Sequence, residues 1–341
     1  MQGTAAPGHP PQATVRRRPL AMPRVLRRFC RRLLHLVAVL VIVSLATFLM
    51  LELLPGNLAD SFLHENASAK EVAAIEKDLG LDKPLVERFL IWAGNALQGD
   101  LGQSPVSGES ISAAIAERLP VTLQLLFYAQ LLSLAIALPL GVIAGYREGS
   151  ALDRVISGVA LGSLAMPHFV WGILLILFLS IWLDWLPATG YVPFSDSPLG
   201  NMTSLLLPAL TLAMVEAPVY LRLLRSDVAS TLREDYIVVA RAKGLSDRQI
   251  LLRHALRPSS FTLITLMGIN IGNLIGGSVI VESLFALPGV GRFLVEGVIR
   301  RDFFTVQGVV LLIAVAFVLV NLLVDLAYNL LDPRLSHDST Q

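Results

Sequence analysis

Six apolar runs, each long enough to cross about 30 Å of hydrocarbon as a helix, leave this chain little choice of solvent. They cover roughly residues 33–54, 121–146, 155–183, 205–224, 261–284 and 305–330. A segment inside lipid has to satisfy its own backbone polar groups, so each run is read as a helix. At 341 residues, 54% hydrophobic and 16% charged, the chain has too little polar surface to hide these runs in a soluble core. The expected fold class is an all-α polytopic membrane protein with six transmembrane helices.

The charges set its orientation. Eight arginines and no acid precede residue 33, which places the N-terminus in the cytoplasm. With six spans both termini are cytoplasmic, and 19 of the 27 Lys and Arg then lie inside and eight outside. The net charge of +1 hides this sorting. Residues 1–29 mix Pro, Gly, Ala and Arg without an apolar period and read as a disordered basic tail, with Met22 an alternative start. The run at 33–54 is too long for a signal-peptide core and is followed by no small-residue cleavage site, so 30–54 reads as a retained first span.

Residues 55–118 form an extracytoplasmic loop. Ser68 and Glu71 make a capping-box pattern for a helix ending near Gly80, and Pro84 opens another running to about Leu97. This small helical domain is either a spacer or a docking surface for a substrate-delivering protein. Residues 119–335 hold the other five spans, and 336–341 a cytoplasmic tail.

Between the fourth and fifth runs lies a polar, basic island at 226–258. Asp235 is placed to cap a helix over 236–243, and Gly244 stands where a helix end needs positive φ. Ser246 with Gln249 is a capping box for a second helix expected to end before Pro258. Helix, glycine hinge and helix form a compact lever anchored at both flanks, or else an ordinary positive cytoplasmic loop.

Several intramembrane residues bear on mechanism. Gly268, Gly272 and Gly276 repeat at a four-residue spacing and strip one face of the fifth span of bulk; Asn270 and Asn273 lie in the same span. Such a helix lines a passage or simply packs tightly. Gly141 and Gly145 pose the same choice in the second span. Glu216, far from either end of the fourth run, marks a translocation path or a hydrogen-bonded packing site. Asp325 lies nearer the end of its span, and His168, after Pro167, marks a kink in the third run. The single cysteine, Cys30, excludes an internal disulfide, and no residues stand at metal-ligand spacing.

The string DYIVVARAKGLSDRQILLRHALRP resembles the conserved cytoplasmic loop of importer-type ABC transporter permeases in its peptide-permease version. Gly244 matches that family's glycine and Ala240 its second alanine, whereas Val238 and Val239 stand where the generic pattern has Glu and Ala. The order ELLPGN, KDLGLDKPLVERFLIWAGNALQGDLGQS, ISAAIAERLPVTLQL, ALPGVGRFLVEGVIRRDFFTVQG and NLLVDLAYNLLDPRL is similar to the same family over residues 30–335.

The resemblance implies a permease subunit of the dipeptide, oligopeptide and nickel class in the bacterial inner membrane. It implies four kinds of partner: a second related permease, two ATP-binding subunits, an extracytoplasmic substrate-binding protein and membrane lipid. No nucleic acid is expected. Asp235, Tyr236, Ile237, Ala240, Arg241, Lys243, Gly244 and Leu245 become the ATPase-coupling residues. Tyr236, Ile237 and Leu245 are expected to fill the ATPase cleft, and Arg241 and Lys243 to meet its acids or carbonyls. The chain has no GxxxxGK phosphate loop followed by Ser or Thr, so ATP and Mg are expected on the partner subunits and no cofactor in this chain. Its patterns also lack GxSxG and HExxH, and an intramembrane enzyme would have to assemble Glu216, Asp325 and His168. Nickel, glutathione or another small solute is the alternative cargo to peptides.

Overall fold

The computed structural model describes residues 24–52 and 83–331, without the side chains of 24–33, 35, 50–52, 257–258, 260–261 and 325–331, among them Cys30 and Asp325; the basic tail to residue 23, the capping box at Ser68 and the tail from 336 lie outside the described residues. Among the described residues all regular elements are helical.

Helix α1 spans Arg24–Glu52 and is apolar over Leu36–Leu49. Helix α2, Leu85–Leu97, begins directly after Pro84, whose ring sets the entry angle of the chain. Phe48 of α1 meets the ring of Phe89 in α2 edge-on at 5.5 Å.

Helix α3, Ile111–Tyr146, starts well before the apolar run at 121 because Ser110 caps it, accepting from the Ala113 N–H. Three further elements follow before the longest buried helix: α4, Ala151–Leu164, then α5, His168–Leu175, which continues as a π-helical turn over Ile176–Trp182. The axes of α4 and of His168–Trp182 are bent by 107°. The third run is therefore no single straight span. Pro167 is extended, at φ −64° and ψ 156°, and caps α5, so helical continuity is lost where a mere kink was expected.

Helix α6, Pro198–Thr231, outruns the expected 205–224 at both ends. Ser197 accepts from the Gly200 N–H at 3.0 Å and Pro198 follows as the first helical residue. Leu205, Leu207, Leu212, Tyr220 and Leu224 are fully buried, which puts α6 at the centre of the bundle. Gly141 and Gly145 of α3 let the two longest helices approach: an added Cβ at Gly145 would lie 2.7 Å from the Arg225 carbonyl, and at Gly141 3.1 Å from that of Leu221. Leu125 and Ala129 of α3 and Leu274, Val281 and Phe285 complete the main core around α6.

The island beyond α6 folds as α7, Asp235–Ala242, and α8, Asp247–Gln249, which runs through π-helical turns over Ile250–Ala255 into α9, Leu256–Leu284. The expected stop before Pro258 does not occur. The π-helical turns shift the hydrogen-bond register just ahead of the proline, as where Leu256 N–H bonds to Leu251 O, so the chain passes it as helix. Helix α10, Val290–Ile299, and α11, Phe303–Leu331, close the chain.

Four of these helices are long and apolar enough to cross a bilayer unbroken, or five if the bent pair counts as one, among the described residues.

Candidate functional site

The lever has a core of its own. Ile237 and Ala240 on one face of α7 pack on Ile250, with Leu232 and Leu245 at the margin. Ile237 and Ile250 are each 1% exposed, so the Ile237 side chain packs into the lever's own core. Leu245 is half-buried beside it. The rest of the helix surface presents Asp235, Tyr236, Arg241 and Lys243, with Tyr236 and Arg241 flanking the buried face. It also presents Val238 and Val239, 62% and 52% exposed, which the sequence marks only as departures from a pattern. The cap of α7 is Glu234, through its backbone alone, which leaves the Asp235 carboxylate in the first turn.

Gly244 holds φ at 79°, and Ser246 and Gln249 form the capping box in full. The Tyr236 hydroxyl donates to the His254 carbonyl at 3.4 Å. That carbonyl stands four residues before Pro258, which has no N–H to give it.

Three polar contacts bind the lever's base to the helix ends around it. Tyr146 at the end of α3 donates to Asp247 at 2.9 Å. Arg233 meets Glu148 at 3.3 Å. Buried Asp153 accepts a two-pronged pair from Arg225, at 2.5 Å from Nε and 2.7 Å from Nη2, and also the Gly149 N–H at 2.9 Å. Sequence reasoning passed over Asp153, whose partner lies 72 positions away.

The structure separates the six intramembrane candidates. Glu216, 4% exposed, and Asn270, 7% exposed, sit inside the bundle. Between them Tyr220, fully buried, donates to Gln130 at 3.2 Å and lies beside both. Glu216 Oε2, Gln130 Nε2 and Asn270 Nδ2 have no hydrogen-bond partner among the described residues. Asn273 reaches back to Asn270 at 3.5 Å from an exposed position. A Cβ at Gly268 would strike Val324, and one at Gly272 would strike Phe317, so these two glycines admit α11. Gly276 has nothing within 4 Å of such a Cβ and lies on the exposed face with Asn273, Ile269 and Ile280. Among the described residues no three His, Cys, Asp or Glu side chains converge on a metal-sized site. The Asp325 side chain, expected beside Glu216 and His168 in an intramembrane enzyme, lies outside the described residues.

A third polar group joins the far ends of the helices. Glu282, fully buried in the last turn of α9, accepts from the Thr122 hydroxyl at 2.7 Å and the Arg292 N–H at 3.0 Å. Thr122 in turn accepts from the Val290 N–H at 2.9 Å. A carboxylate thus sits on the N-terminus of α10, where unpaired N–H groups and the helix dipole favour an anion. Gly289 and Gly291 make room for it, since a Cβ at either would run into that carboxylate. Nearby, buried Asp302 caps α11 through Thr305 and accepts from Ser104 at 2.5 Å, tying the loop before α3 to the same end.

The bundle has the fold of a chain in the inward-facing MetNI methionine ABC transporter, with a TM-score of 0.54 at 18% identity over 64% of this chain and 96% of that one. Long apolar helices around a buried polar interior describe a polytopic membrane protein. The model of the binding-protein-dependent transport system inner membrane component matches residues 137–337, and that of its N-terminal region matches residues 25–126. The chain belongs to this family and is a permease subunit of an ABC importer. It is 40% identical over 308 residues to a putative peptide transport system permease protein of Brucella abortus (strain 2308), covering 90% of this chain and 98% of the relative. It is 37% identical to the glutathione transport system permease protein GsiC of Escherichia coli O6:H1 and 35% to the di/tripeptide transport system permease protein DppB of Pseudomonas aeruginosa, with the same coverage.

Proposed function

We propose that this chain forms half of a translocation pathway for short peptides, pairing with a second, related permease and taking its power from two ATP-binding subunits. Six spans with both termini in the cytoplasm put the lever on the ATPase side, as the bias of Lys and Arg supports. An extracytoplasmic binding protein delivers cargo to the opposite side, formed by the segment before α3 together with α10. ATP and Mg belong to the ATPase subunits.

The observation that carries this reading is the lever's divided surface: Ile237 and Ala240 locked onto Ile250, and Tyr236, Val238, Val239, Arg241 and Lys243 exposed around them. A segment that spent its apolar residues only on its own core would leave no such surface. In this role Ile237 and Ala240 keep α7 rigid, Asp235 biases its first turn, Gly244 permits the hinge and half-buried Leu245 supports it. Asn273 and Gly276 line the path, Glu216 and Asn270 stand one layer behind, and Gly268 and Gly272 seat α11 against the path-forming helix. Relatives named for peptides, di- and tripeptides and glutathione point to one class of cargo, since glutathione is itself a tripeptide.

The test is a pull-down in mild detergent of the intact chain and of a variant with 236–244 replaced by a neutral linker. An ATPase is expected with the first and not with the second. An ATPase that co-purifies equally with both would remove the lever from the interface.

A further inference from the structure

A groove of about 610 Å³ opens between α4 and α6 on the lever side of the bundle. Its walls change character along the helix axes. Ser157, Arg222 and Arg225 lie at the end nearest the lever, and Leu161, Leu164 and Val219 at the end toward the bilayer centre. The antiparallel course of the helices fixes this order: Asp153, near the start of α4, pairs with Arg225, whereas Ser163, near its end, donates to the Met214 carbonyl.

The charges at the polar end do not cancel. Asp153 is neutralised by Arg225, which spends Nε and Nη2 on it. Glu148 is paired with Arg233. Arg222 makes no ion pair with any described residue, so one full positive charge is left at the mouth. Arg222 lies about 26 Å along the axis from Leu205, where the apolar part of α6 begins, close to the headgroup boundary of a hydrocarbon layer about 30 Å thick. Between and beside the lining residues of α4, Val155 and Val159 are apolar and 62% and 67% exposed.

We propose that this groove holds an anionic phospholipid of the leaflet on the lever side. Its phosphate meets Arg222 and the remaining N–H groups of Arg225, beside a Ser157 hydroxyl already donating to Asp153, and one acyl chain lies along Leu161, Leu164 and Val219. Basic pockets between transmembrane helices select anionic headgroups in this way. The proposal rests on the membrane-spanning reading alone, and its readout is lipid retention, so it fails or stands independently of the lever's docking on an ATPase.

The experiment is native mass spectrometry of the full chain in mild detergent, with phosphatidylglycerol or phosphatidylcholine of the same chain length added in turn. The intact chain is expected to retain phosphatidylglycerol over phosphatidylcholine. Arg222→Gln should lower that retention about fivefold, the scale of one basic residue at a membrane surface. Arg222→Lys should restore most of it, and Leu161→Trp, which fills the apolar end, should abolish it. Equal retention of the two lipids by the intact chain, which needs no variant, would overturn the proposal. So would phosphatidylglycerol retention unmoved by Arg222→Gln and Leu161→Trp. Displacement of the lipid by millimolar inorganic phosphate would reduce the site to a free-anion site and overturn the lipid assignment.

Discussion

The Tyr236 hydroxyl donates to the His254 carbonyl at 3.4 Å, joining the lever's first helix to the stretch that enters the fifth span. Pro258 withholds the N–H that a regular helix would supply to that carbonyl, so the bond replaces a missing rung with one from another helix. Tyr236→Phe keeps the ring and loses the donor. Peptide uptake in proteoliposomes with the partner subunits should fall about two- to tenfold, the scale of one hydrogen bond, while ATP hydrolysis persists. Uptake and hydrolysis both unchanged would show that the bond carries no load.

Gly244 matters for its backbone and not for its neighbours. Nothing lies within 4 Å of a Cβ placed there, yet φ is 79°. Gly244→Asn, a residue that enters the left-handed region at low cost, should couple hydrolysis to uptake nearly as the native chain does. Gly244→Val should strain the hinge by about 1–2 kcal/mol and uncouple the two. Equal activity of the two variants, read as peptide taken up per ATP hydrolysed, would contradict this.

At the other end of α9, Gly291 is enclosed by backbone. A Cβ there would lie 2.6 Å from Val279 Cα and 2.9 Å from Glu282 Oε2. Gly291→Ala should cost about 1–3 kcal/mol through overpacking and detach the N-terminus of α10. Limited proteolysis should then cut within 286–302 faster than in the native chain. Glu282→Gln leaves one acceptor where Thr122 and the Arg292 N–H use two and removes the charge from the α10 N-terminus, and should give a weaker form of the same pattern.

The glycine series of α9 divides by what each member faces. Gly272→Leu places bulk on Phe317 and should reduce the yield of folded chain from detergent. Gly276→Leu meets open space, so the chain should fold normally. If Gly276 lines the path, this second variant binds its partners and hydrolyses ATP yet transports poorly. Normal transport by Gly276→Leu would place the path on another face.

Local chemistry made the lever legible in the sequence. Gly244, the Ser246 capping box and the helix after Pro84 follow rules that act within a few residues, and the structure keeps each. The expected stop before Pro258 also rested on a local rule, and failed because π-helical turns and the Tyr236 hydroxyl absorb the missing donor. Pro167 announced a kink, but its angle is set by how α4 and α5 pack against α6, which no short window contains. Glu282 and Asp153 escaped notice because an acid near the end of an apolar run reads as a headgroup-level residue. What makes these two structural are Thr122, Arg292 and Arg225, brought in from distant parts of the chain.

From Asp247 to Leu284 the chain is helical without interruption, a rod of about 55 Å. Its foot carries the lever through His254 and Ile250, and its head grips α10 through Glu282. Because both attachments belong to one continuous helical stretch, the proposed transport cycle has a direct mechanical route from the lever to α10 within a single chain, with the π-helical turns ahead of Pro258 as its one built-in joint.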